Sequence, residues 1–132
     1  MLRSDRPPAD TTIIVRGGRD TVEKLRRHAL RTARAWTLDG QPLLGVSVFA
    51  ALDLPLEQLL AARFATFRTV YLPTAGELTG AGFQLLATGL RPHFTVRLRR
   101  ADDDELRSLL AALGAARDNP QYGQHAIWRE GR

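Results

Sequence analysis

His93, Thr95, Arg97 and Arg99 recur at every second position between residues 93 and 99, and this spacing is the strongest pointer to chemistry in the chain. In an extended strand, alternate side chains share a face and stand about 6.5–7 Å apart. One face would then carry an imidazole able to move a proton near neutral pH, a hydroxyl, and two guanidiniums. The planar donor pair of a guanidinium suits phosphate oxygens. Phe94, Val96 and Leu98 would take the opposite face and enter the core. A base, a hydroxyl and phosphate-binding cations in a row suit work on RNA or a nucleotide. The expectation requires residues 93–99 to be extended and that side of the sheet to be open.

Other constellations are weaker. His28, His93 and His125 are too far apart in sequence for the close spacing of a metal site, and there is no cysteine. Neither a metal nor a cofactor is expected on these grounds. Ser47 is the one serine of three that falls inside an apolar strand, and no G-x-S-x-G elbow or Walker loop accompanies it. The acidic run Asp102, Asp103, Asp104, Glu105 opens a helix, where carboxylates meet the positive end of the helix dipole.

Charge adds a second surface. The 132-residue chain carries a net charge of +5, which favours an anionic partner: RNA, a nucleotide or an acidic protein. Of nineteen basic residues only Lys24 is lysine, so arginine-rich coding competes with selection for binding as the source of that charge. Placement is more telling than the sum. Lys24, Arg27, Arg31 and Arg34 fall on one side of an amphipathic helix, and with Arg97 and Arg99 they would form a patch that tracks phosphates.

These residues need elements to hold them. Thr11–Arg16 reads as a β-branched strand, followed by a glycine turn and a helix from Asp20, with Glu23 at capping-box spacing, to Ala35 or Trp36. Val22, Leu25, Ala29, Ala33 and Trp36 form its apolar stripe. An Asp39-Gly40 turn leads to a central strand over 43–50, and Pro55 opens a helix reaching about Phe67. A short strand over 69–72, a capped turn of helix at Thr74–Thr79, two strands across 83–100 and a helix over 103–113 follow. A last strand is expected at 125–128. The order implies an α+β fold: one mixed sheet of about five strands with three main helices packed on it. Residues 1–10 read as a flexible tail and 11–132 as a single domain. No apolar run reaches membrane length and the start has no hydrophobic signal region, so no membrane partner and a cytoplasmic location are expected. The oligomeric state is open.

Two resemblances bear on function. His93-Phe94-Thr95-Val96 is similar to the H-x-T-h motif of 2H phosphoesterases, in which two such motifs face each other and supply an acid and a base. This chain has one copy, because His28 is followed by Ala-Leu and His125 by Ala-Ile. Separately, Arg16, the Trp36–Pro42 stretch, Ser47 and Glu57 look a little like RES-type toxins of ADP-ribosyltransferase-like fold, over about a third of the chain. That resemblance implies action on NAD, with Arg16 on the cofactor phosphates and Glu57 steadying the ribose cation. Three functions are therefore expected in competition. They are a small basic, toxin-like effector acting on RNA or a nucleotide, a non-catalytic nucleic-acid- or protein-binding module, and a NAD-consuming enzyme.

Overall fold

A computed structural model of the chain describes residues 2–123. Its main sheet has six strands: β1 (Ile14–Gly17), β4 (Gly45–Ala50), β5 (Thr69–Tyr71), β6 (Gln84–Ala87), β7 (His93–Arg97) and β8 (Arg117–Asp118). They lie in the order β6-β7-β4-β1-β5-β8, and every neighbouring pair is antiparallel. The α+β class is as expected, while the sheet is antiparallel rather than mixed. β2 (Thr37–Leu38) and β3 (Gln41–Pro42) form a separate hairpin. Its Asp39-Gly40 turn has φ of 52° and 79°, the pair of positive values that a two-residue hairpin turn requires.

Alternation along the strands sorts the core into two layers. Ile14, Val46, Val48, Leu85, Phe94 and Val96 point to one face, which three helices cover. These are α1 (Val22–Ala35), α3 (Ala75–Gly80) and α4 (Asp103–Leu113), contributing Leu25, Ala29, Leu78, Leu106 and Leu109. Val15 and Val70 point to the other face, where α2 (Leu56–Arg63) lays Leu59 and Leu60 over the β1–β5 half. Among the described residues, no helix covers the β4–β7–β6 half of that second face.

Local chemistry explains where elements start and stop. The Thr21 hydroxyl, not Asp20, caps α1 by accepting from the Lys24 N–H at 3.1 Å. Asp20 is diverted because its carboxylate takes two hydrogen bonds from Arg16, at 2.6 and 3.2 Å. Glu23 likewise turns to Arg26 instead of completing a capping box. Helix α2 ends at Arg63, short of the expected Phe67. The Asn119 amide donates to the carbonyls of Phe64 (2.8 Å) and Phe67 (3.0 Å) and folds that stretch into a turn. Thr74 and Glu77 do form the expected capping box on α3. In the acidic run, Asp102 caps α4, and Glu105 reaches back to accept from the N–H groups of Arg99, Arg100 and Ala101.

The polar start, expected as a loose tail, is strapped to the sheet edge. Leu2 bridges Thr88, and the Arg3 N–H donates to the Ala87 carbonyl at 2.9 Å. Arg3 also reaches the carbonyls of Thr88 and His93, and Asp5 pairs with Arg91. The expected strand at 125–128, with His125, lies outside the described residues.

Candidate functional site

The half-open face is laid out by strand register. Gln84, Arg97 and Gly45 stand in one cross-strand row, and Leu86, Thr95 and Ser47 in the next. His93 pairs with Phe49 at the end of the ladder. His93, Thr95 and Arg97 do share this face, as the alternation of β7 requires. Their environments differ sharply, however.

His93 is half-buried. Its ring meets Phe49 edge-on at 5.2 Å, and Phe49 in turn carries the Arg63 guanidinium 4.9 Å above its ring. The imidazole Nδ1 lies 3.0 Å from both the Thr88 carbonyl and the Thr88 hydroxyl. A carbonyl can only accept, so Nδ1 carries the proton and Nε2 is left as the acceptor. Nε2 makes no hydrogen bond to a described residue. Burial pushes the His93 pKa below the usual 6.5, opposed by the Thr88 backbone bond and assisted by the positive charges of Arg3 and Arg63. The ring is therefore neutral at pH 7, held by one nitrogen and basic at the other.

Thr95 is not open to solvent, being only 3% exposed. Its hydroxyl bonds that of Thr88 at 2.7 Å, and its methyl leans into the slot left by Gly45. A Cβ on Gly45 would stand 2.4 Å from Thr95 Cγ2. Thr95 thus supports His93 through Thr88 and is not itself presented to a substrate. Ser47 and Arg97 are exposed on the same face. Arg99 is not part of the row, because β7 ends at Arg97 and the backbone beyond it is drawn to Glu105.

Thr88, Arg63, Phe49 and Trp36 complete the His93 surroundings; the sequence pattern points to none of the first three, and to Trp36 only as a core residue and as part of the Trp36–Pro42 stretch. Trp36 was expected in the core stripe of α1. It caps the helix with extended backbone instead, and its ring tip reaches Gly89 beside His93: a Cβ on Gly89 would lie 3.6 Å from Trp36 and 3.5 Å from the imidazole.

The basic helix occupies different ground. Lys24, Arg27, Arg31 and Arg34 are all exposed, and a rise of about 1.5 Å per residue spreads them over about 15 Å. Arg3, Arg16, Arg26, Arg91 and Arg107 each face a carboxylate. Arg27, Arg31 and Arg34 face none among the described residues, and Lys24 donates only to the Arg19 carbonyl, at 3.1 Å. The continuous patch with Arg97 does not form. α1 packs on the face that Val96 enters, and alternation sends Arg97 out of the other.

Arg16 and Glu57 are not brought together either. Arg16 is 7% exposed, paired with Asp20 and bonded to the Ser47 carbonyl at 2.8 Å, on the side of the sheet that α1 covers. Glu57 is exposed in the first turn of α2, on the opposite side. Among the described residues, no group of three or more His, Asp or Glu side chains is placed to hold a metal ion, and no helix is long and apolar enough to cross a membrane. Set against family models, curated proteins and solved structures, the chain matches none.

Proposed function

We propose that the protein is a nucleic-acid-binding module that grips the phosphate backbone of a duplex through the outer face of α1. One observation carries this reading: Lys24, Arg27, Arg31 and Arg34 line a single exposed helical face with no carboxylate partner among the described residues, whereas Arg26 on the flank of the same helix is paired with Glu23 and Asp103. Unpaired cations at one-turn spacing can each displace a condensed counterion, which is the driving force of backbone binding. That face contains no aromatic residue, so it offers no stacking platform for single-stranded bases. Recognition is therefore of charge and shape, without base preference.

The test is fluorescence anisotropy with a labelled RNA duplex and a DNA duplex across salt concentrations. Four phosphate contacts give a slope of log K against log salt of about −3.6, and Arg27→Ala/Arg31→Ala should bring it to about −1.8. A slope that the double substitution leaves unchanged would sink the proposal.

A second reading has its own support. His93, neutral and anchored through Nδ1, offers Nε2 as a general base beside Arg63: it takes the proton of an RNA 2′-hydroxyl as that oxygen attacks the adjacent phosphorus, the P–O5′ bond breaks, and the departing 5′-oxygen takes a proton from water. Purified protein incubated with RNA should then yield cyclic-phosphate ends, and His93→Ala should remove them. Intact RNA after long incubation with the wild-type protein discards this reading and leaves the binding module standing.

A further inference from the structure

A concavity at the Arg97 end of the half-open face, away from His93, is used by neither reading. A groove of about 720 Å³ opens between the β2–β3 hairpin, the ends of β6 and β7, and the first turn of α4. Arg97 and Arg99 both line it, with Gln41 and Gln84 on its walls and Leu38 and Pro42 at its apolar side. We propose that this groove binds a small phosphomonoester whose body is polar and non-aromatic, of the size and kind of a sugar phosphate.

The charge comes first. Arg97 is exposed, and its one contact with a described side chain is a long bond donated to Gln84 Oε1 at 3.4 Å. The Arg99 side chain is exposed and has no carboxylate partner among the described residues. The single acid of the lining, Glu105, is engaged elsewhere. One of its oxygens accepts from the Arg99 N–H at 2.8 Å, and the other from Arg100 and Ala101 at 2.9 and 2.8 Å. Both carboxylate oxygens are thus turned to backbone donors and away from the two guanidiniums. A dianionic phosphate offers the several acceptors that two arginines can fill together.

The shape and lining narrow the class. The volume falls in the range of small-molecule sites and far exceeds that of a bare ion. The lining contains no aromatic side chain, so a nucleobase would find nothing to stack on. The Gln41 and Gln84 amides each offer donor and acceptor, which suits hydroxyl groups on the ligand body. The walls are also preformed: the hairpin is closed by its two-residue turn, and Pro42 fixes the backbone next to the opening.

The groove shares no residue with the basic face of α1, so the two proposals fail independently. Titration of the full chain with ribose 5-phosphate, followed by isothermal calorimetry and by NMR of the arginine side-chain N–H groups, tests it. Saturable binding that shifts Arg97 and Arg99 is expected. Arg97→Gln and Arg99→Gln should each weaken it about tenfold or more, while Arg27→Ala/Arg31→Ala leaves it intact. Ribose, lacking the phosphate, should not bind, and adenosine monophosphate should gain nothing from its base. The proposal is overturned by the absence of saturable shifts, by shifts indifferent to both glutamine substitutions, or by ribose binding as well as its phosphate. Adenosine monophosphate binding tenfold tighter than ribose 5-phosphate would overturn the non-aromatic assignment.

Discussion

The two faces of the sheet are built to different rules. On the closed face, Ile14, Val46, Val48, Phe94 and Val96 are completely buried beneath three helices, with no exposed polar side chain between them. On the half-open face, α2 covers only the β1–β5 side, and the remaining strands carry Ser47, Thr95, His93, Arg97 and Gln84. The same strands contribute to both, so period-two alternation alone separates a packing layer from a polar one. Stability belongs mainly to the first face. The second tolerates polar groups because solvent or local hydrogen bonds satisfy them, as Thr88 does for both His93 and Thr95.

The sharpest way to break this division is to delete one phenylalanine from each side. Phe94→Ala removes a fully buried ring from the closed face and should cost about 3–5 kcal/mol. Phe49→Ala removes a half-buried ring on the other side, held by Phe64 at 5.6 Å, His93 and Arg63, and should cost about 1–2 kcal/mol. Urea unfolding of both variants measures the difference. Equal losses would mean that the half-open face carries as much of the fold as the closed one.

Gly45→Ala is the next largest. The position needs no unusual backbone angle, so its cost is purely steric. The new Cβ would approach Thr95 Cγ2 to 2.4 Å and the Val96 carbonyl oxygen to 2.8 Å. The first neighbour is a side chain and the second is backbone, which cannot swing aside. A loss of about 1–3 kcal/mol is expected, and Thr95→Ser in the same chain should recover part of it. A neutral Gly45→Ala would show that Thr95 is not wedged against β4.

These contrasts also show what can be read from the residues alone. Elements whose signals are local are legible: the capping box Thr74–Glu77, the Asp102 start and Gly114 stop of α4, and the Asp39-Gly40 turn all appear where their chemistry directs. The sharing of one face by His93, Thr95 and Arg97 is legible too, since it follows from period two. The openness of that face at each position is not. Thr95 is closed off by Thr88, whose placement depends on the register of a hairpin with a five-residue connection, and by the slot at Gly45 on a strand far away in sequence. The rivalry of Asp20 and Thr21 for the cap of α1 is decided by Arg16, from a different element. The strapping of residues 2–5 to β6 and Arg91 is likewise a long-range pairing that no local pattern announces.

Acid should expose the half-buried histidines of the two sides together. Burial lowers the pKa of His93 and of His28, and nearby Arg16 and Arg31 lower His28 further. The unfolded chain takes up these protons near the usual 6.5, whereas the folded chain does so only at lower pH. Across that window the unfolded state binds more protons, so stability falls as pH drops below about 6.5 and is fully restored above it. The carboxylates of Asp5 and Asp53, held below their usual 3.8 by hydrogen bonds from Arg3 and Arg91, act in a separate and more acidic window. Urea midpoints at about pH 7.5 and pH 5 should therefore differ, and His93→Gln/His28→Gln should flatten the difference. An unchanged slope in the double variant would place the acid sensitivity elsewhere.

The smallest expected effect is the most useful for separating stability from binding. Arg27 and Arg31 are four residues apart on an exposed helical face, where like charges repel by about 0.2–0.5 kcal/mol. Alanine is also the better helix former. Arg27→Ala/Arg31→Ala should therefore leave the protein as stable as before or a few tenths of a kcal/mol more so, while removing half of the cations that α1 presents to a duplex. A substitution that stabilises the fold and weakens binding marks side chains kept for a partner. If the double variant instead lost 1 kcal/mol or more in urea unfolding, as a role in packing would require, the outer face of α1 would belong to the architecture of the closed side, and its charge would carry no evidence of a ligand.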